Sequence, residues 1–85
     1  MASHNDPHIR FFTRLLRHLT NDPYIETSIE WSAQLYCYNF HIATSHGTYS
    51  FTLRGDGSAR QWPPPIALLG DAIERFREIY PELLV

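Results

Sequence analysis

The stretch from Tyr24 to Arg54 alternates polar and apolar side chains in three successive runs, each followed by a short polar break. Period-two runs separated by gaps too short for a crossover helix leave little choice besides an antiparallel meander with one apolar face. In the first run Ile25, Thr27, Ile29 and Trp31 alternate with Tyr24, Glu26, Ser28 and Glu30. The second carries Tyr36, Tyr38, Phe40 and Ile42 on one side, and the third carries Tyr49, Phe51 and Leu53. Strands are therefore expected at about 24–31, 35–43 and 48–54. Ser32-Ala33-Gln34-Leu35 and Thr44-Ser45-His46-Gly47 read as four-residue hairpin turns. Gly55-Asp56-Gly57 ends the third strand, and residues 59–62 fit a short fourth.

A sheet with one apolar face needs a cover, and the flanking segments supply it. Asp6 and Pro7 form a cap and first position for a helix at about 7–20, with residues 1–5 expected to fray. Ile9, Phe12, Leu15, Leu16 and Leu19 fall on one face of it at a 3.6-residue period, and Asn21-Asp22-Pro23 stops it. After three extended prolines, Ile66, Leu69, Ile73, Phe76 and Tyr80 mark a second helix at about 65–80, ended by Pro81. Gly70 interrupts it at a cost of about 1 kcal/mol relative to Ala. A start at Asp71, capped with Glu74, is the alternative. The expected fold is α+β: helix, three or four antiparallel strands in a meander, helix, with both helices on one sheet face. Phe12, Leu16, Ile29, Phe40, Phe51, Ile73 and Phe76 form the expected core. At 85 residues the chain reads as one domain spanning 1–85.

Matching apolar faces sets a pairing register. In the second hairpin Ile42 meets Tyr49, Phe40 meets Phe51 and Tyr38 meets Leu53. In the first, Trp31 meets Tyr36, Ile29 meets Tyr38, Thr27 meets Phe40 and Ile25 meets Ile42. The outward rows are then Glu26–His41–Ser50, Ser28–Asn39–Thr52 and Glu30–Cys37–Arg54, with Cβ neighbours about 4.5–5.5 Å apart.

These rows limit the chemistry. Glu26, His41 and Ser50 are the residue types of an acyl-transfer triad, but a row on an open sheet face has no dry pocket and no oxyanion donors. It reads as a polar ladder with His41 bonded to Glu26. Cys37 lies between one acid and one base, which marks no reactive thiolate. Cys37 and His41 are about 13 Å apart along a strand, too far to share a zinc ion. No phosphate-binding loop, dinucleotide fingerprint or paired-cysteine motif occurs. No catalytic residue, metal site or cofactor is expected.

The chain has seven basic residues, all arginine, and a formal charge of −2. That balance weighs against general nucleic-acid or membrane-surface binding. The single Cys37, the polar start and the lack of a spanning apolar run point to a cytoplasmic protein. The charge is unevenly placed. Arg10, Arg14 and Arg17 share one stripe opposite the apolar face of the first helix, which has no acid after Asp6. Like charges at that spacing repel by a few tenths of a kcal/mol, a cost that folding does not require. A planar, permanently charged guanidinium fork suits carboxylates or phosphates on a partner. The arginine stripe is the first candidate interface. Asn39, His41 and Thr52 on the outer sheet face are the second.

From Pro7 to Tyr80 the element order resembles, in topology and length, the double-stranded-RNA-binding domain. That family grips phosphates with a lysine-rich motif at the start of its second helix, where this chain has Arg60, Gln61, Trp62 and three prolines. The resemblance implies a nucleic-acid-binding regulator with a degenerate version of that fold. Ser45, His46 and Tyr49 are similar to the Ser-His pair and following aromatic of the HicA-type ribonuclease toxins, which implies a ribonuclease using His46. The reading favoured over both is a non-enzymatic interaction protein, monomeric or homodimeric, that occupies a site on a host protein complex. Small inhibitors from phages and other mobile elements, such as anti-CRISPR proteins, are of this size and kind.

Overall fold

The computed structural model describes residues 6–55 and 62–85. Its elements run α1 (Pro7–Thr20), β1 (Glu26–Ser32), β2 (Cys37–Thr44), β3 (Gly47–Arg54) and α2 (Ile66–Ile79), followed by a 3-10 turn at Pro81–Leu83. The three strands form one antiparallel sheet in the order β1-β2-β3. The αβββα layout is thus the one expected. The fourth strand proposed at 59–62 falls largely outside the described residues.

Local chemistry accounts for the ends of α1. Pro7 occupies the first helical position, and the Asp6 carboxylate accepts from the His8 and Ile9 amides at 2.9 and 3.3 Å. Asn21 closes the helix in the left-handed region at φ 53°, a conformation that asparagine tolerates. β1 starts two residues later than the alternation implied. The Asp22 side chain accepts from the Tyr24 amide and its carbonyl from the Ile25 amide, so both residues belong to a turn. α2 begins at Ile66 after Pro65, not at Asp71, although no side chain caps it.

The β2–β3 register is the expected one: Ile42 opposite Tyr49, Phe40 opposite Phe51, Tyr38 opposite Leu53. The β1–β2 register differs from expectation by two residues. Thr27 faces Ile42, Ile29 faces Phe40 and Trp31 faces Tyr38. The cause lies in the turn, which is Ala33 to Tyr36 and not Ser32 to Leu35. Tyr36 adopts φ 51° and leaves the strand, and its carbonyl accepts from the Gly55 amide at 2.7 Å. Gly55 is needed for that closure, because a Cβ there would stand 2.7 Å from the Trp31 ring. A two-residue offset preserves which face each side chain occupies but changes every cross-strand neighbour.

The core gathers Ile9, Phe12 and Leu16 from α1, the inward residues of the strands, and Leu69, Ala72 and Phe76 from α2 into one buried cluster. Phe40 is its centre, stacked on Phe51 at 4.9 Å and tilted against Phe12 at 5.6 Å. Tyr80, just beyond α2, meets Tyr49 edge-on at 4.9 Å and donates to the Ser50 carbonyl of β3. Three of the expected apolar helix positions that border the gap between the helices are less covered than their periodicity implied: Ile73 is half-buried, Leu15 is 36% exposed and Ile66 52%.

Candidate functional site

The helix phase of α1 places Ile9, Phe12, Thr13 and Leu16 against the sheet, which leaves Arg10 and Arg14 exposed. Thr13 secures this orientation. Its hydroxyl donates to the Ile9 carbonyl at 2.8 Å and also meets the Thr27 hydroxyl of β1, both side chains being buried. Arg10, Thr13, Arg14 and Arg17, with Ile9 and Glu26, line a shallow basin of about 220 Å³ where α1 passes the β1 edge.

Arg17 departs from the expectation that the whole stripe stands free. It is half-buried, donates from Nε to the Ile25 carbonyl at 2.9 Å, and pairs with Glu26 at 3.5 Å. The neutralising acid comes from β1, not from the helix, so the sequence of α1 alone gave no sign of it. The guanidinium groups of Arg10 and Arg14 have no hydrogen-bond or ionic partner among the described residues. The stripe thus divides into one structural arginine and two free ones.

On the outer sheet face the revised register rearranges all three rows. They read Ser28–His41–Ser50, Glu30–Asn39–Thr52 and Ser32–Cys37–Arg54. His41 receives its carboxylate from Glu30, on the diagonal, instead of Glu26. Its Nε2 lies 3.4 Å from Glu30 and its Nδ1 3.0 Å from the Ser50 hydroxyl. A serine–histidine–glutamate relay is therefore assembled, which the expected register had built from the wrong glutamate. The relay stands in solvent, with Glu30 64% and His41 42% exposed. High dielectric leaves such a relay with little power to stabilise a developing oxyanion. Asn39 and Thr52 lie opposite one another beside it, and Cys37 Sγ contacts Asn39 at 3.7 Å.

A cleft of about 410 Å³ at the far end of the sheet runs from Asp22 and Tyr24 past Ser45 and His46 to the C-terminal residues. Asp22 is its organising group. The Ser45 amide, followed by the Tyr24 amide and the Ser45 hydroxyl, holds the carboxyl below its ordinary range against the opposing effect of burial, and His46 adds a small charge contribution. The Ser45 hydroxyl is committed to Asp22 at 2.9 Å. His46 is exposed and its amide bonds Thr44. The Ser-His pair thus closes a turn, with Asp22, distant in sequence, as its anchor.

Among the described residues no group of three or more His, Cys, Asp or Glu side chains is placed to hold a metal ion. No helix among them is long and apolar enough to cross a membrane. Comparison with known proteins returned no matching family model, no matching characterised protein and no matching solved structure.

Proposed function

We propose that this protein is a non-enzymatic binder that docks on a partner protein through Arg10 and Arg14 on the basin between α1 and the β1 edge. The observation that carries the proposal is the division of the arginine stripe. Arg17 is spent on β1, whereas two guanidinium groups one turn apart are left without a counter-charge. Each offers a fork of donors suited to a carboxylate. The overall charge of −2 disfavours the long phosphate track that drives nucleic-acid affinity. The specific form of this reading is an inhibitor carried by a phage or other mobile element, of the anti-CRISPR kind, that blocks a site on a host complex.

The test is affinity capture from cells of the organism that carries the gene, with mass spectrometry of the retained proteins, followed by binding titrations. R10E/R14E is expected to lose the captured partner while melting as the parent does. R17A is expected to cost about 1 kcal/mol of stability, because a half-exposed charge-assisted bond to Ile25 is lost. Unchanged affinity of R10E/R14E at low salt would remove the basin from consideration and shift the interface to Asn39, His41 and Thr52. Capture of nucleic acid with a steep salt dependence would replace the protein partner altogether.

A further inference from the structure

Arg10 and Arg14 stand one helical turn apart, so their Cβ atoms are about 5–6 Å from each other and their guanidinium forks line the same space. That space is the basin of about 220 Å³ where α1 passes the β1 edge. Its lining also holds Arg17 and Glu26, which pair at 3.5 Å. Three guanidinium groups against one carboxylate leave the basin with a charge of +2. Arg17 already gives its Nε proton to the Ile25 carbonyl, and its Nη2 reaches Glu26. Thr13, also in the lining, gives its hydroxyl proton to the Ile9 carbonyl. The uncommitted donors are the forks of Arg10 and Arg14.

Charge and space together select an occupant. A lone carboxylate brings one negative charge and leaves one fork unmatched. Two carboxylates match both forks, but with Glu26 they crowd three like charges around a basin of about 220 Å³, where each repels the others. A phosphoryl group places a charge of about −1.5 to −2 and three acceptor oxygens on one centre. Two forks one turn apart close on such a centre from two sides, each with paired N–H donors.

We infer, on the footing that the partner docks at this basin, that the group it inserts is the dianionic phosphoryl group of a phosphorylated side chain. The overall charge of −2 does not oppose this, because one phosphoryl group meets the local charge of the basin, whereas a nucleic acid brings a long track of phosphates. Glu26 is the opposing element. Its carboxylate holds the Arg17 Nη2 and repels an arriving dianion. The side chains of Arg17 and Glu26 are 39% and 67% exposed, so water screens the basin. Free phosphate therefore binds weakly, with a dissociation constant on the order of 1–10 mM, and the chain around the phosphorylated residue supplies the remaining affinity.

The experiment is a titration of the purified protein with inorganic phosphate at about pH 8, where the ion is a dianion, and at constant ionic strength. Amide shifts in nitrogen–proton correlation spectra report binding, and acetate is titrated in parallel. Phosphate is expected to saturate the parent and to move the amides of Arg10, Arg14 and Glu26, with acetate weaker by about 10-fold or more. Arg10→Gln/Arg14→Gln is expected to lose about 10-fold or more, Glu26→Gln to bind about 3-fold tighter, and Arg54→Gln on the outer sheet face to bind as the parent does. Melting curves equal to the parent's separate lost binding from lost folding. Acetate that binds as tightly as phosphate, or phosphate binding that survives Arg10→Gln/Arg14→Gln, overturns the inference. Phosphatase treatment of the captured partner is the second arm, and it is expected to release the partner. A partner retained after phosphatase but lost with R10E/R14E overturns the phosphoryl group and leaves the docking surface in place. A partner retained in both cases overturns both.

Discussion

The hydroxyl pair that pins α1 to β1 has a direction, and the direction makes unequal outcomes for two chemically identical substitutions. Thr13 has one hydroxyl proton and gives it to the Ile9 carbonyl at 2.8 Å. The proton shared with Thr27 therefore belongs to Thr27, which donates to Thr13. Replacing Thr27 with the nearly isosteric valine removes that one bond and leaves Thr13 still bonded to Ile9. The expected cost is about 1 kcal/mol, the net worth of one neutral bond. Replacing Thr13 with valine removes both bonds and strands the Thr27 hydroxyl at a site only 2% exposed. An orphaned buried donor carries its full desolvation penalty, so the expected cost is about 2–3 kcal/mol. Helix propensity adds nothing, since Thr and Val are nearly equal in a helix interior. In the double variant no polar group is stranded, and the loss should fall back to about 1 kcal/mol or less. The coupling energy between the sites is then about 2–3 kcal/mol in magnitude. Urea titration followed by far-ultraviolet circular dichroism measures all four corners, and each kcal/mol also moves Tm by about 4–8 °C in a domain of this size. Costs that add to within about 0.5 kcal/mol, or a larger loss from Thr27→Val than from Thr13→Val, would refute the assigned direction.

Two further outcomes follow from single close approaches. Gly55→Ala drives a methyl group into the Trp31 ring at 2.7 Å and against the Tyr36 carbonyl at 3.1 Å. It should cost about 1–3 kcal/mol, and an unchanged melting curve would show that the turn does not need this contact. Asp22 has a folded pKa held below its ordinary value, chiefly by the Ser45 amide. Its stabilising effect is thus fully present above the ordinary carboxylate pKa and is lost as pH falls through the folded value. Asp22→Asn should be less stable than the parent at pH 7, and the difference should shrink below about pH 4. A gap that stays constant down to pH 2 would show that the carboxylate charge is not what Ser45 and Tyr24 hold.

Much of the candidate site was legible because it depends on periods. The 3.6-residue repeat of α1 places Arg10 and Arg14 opposite Ile9, Phe12 and Leu16 whatever the helix packs against, and the structure leaves them exposed. Asn39, His41 and Thr52 alternate away from Tyr38, Phe40 and Phe51 in the same way. Arg17 was misread because its partners, Ile25 and Glu26, belong to β1 and are set by how the helix is seated. The groove between the helices was invisible for a similar reason. Leu15 and Ile73 carry the correct phase for burial, and they are left partly uncovered where they line the groove between α1 and α2.

The alternation of apolar side chains by itself determined the strand order and the inward set Ile29, Phe40, Ile42 and Phe51, and together with the short turn between Thr44 and Gly47 it determined the register of β2 on β3. A face that must be buried tolerates no one-residue slip, so the pattern has only even offsets to choose from. It cannot choose among them, because an even offset returns every side chain to the same face. Tertiary structure made that choice for β1. Tyr36 turned to positive φ, the Gly55 amide closed on its carbonyl, and the Thr27 hydroxyl met Thr13 on the helix above. That one choice handed His41 to Glu30, released Glu26 to Arg17, and left Arg10 and Arg14 as the two arginines of α1 whose guanidinium groups have no partner among the described residues.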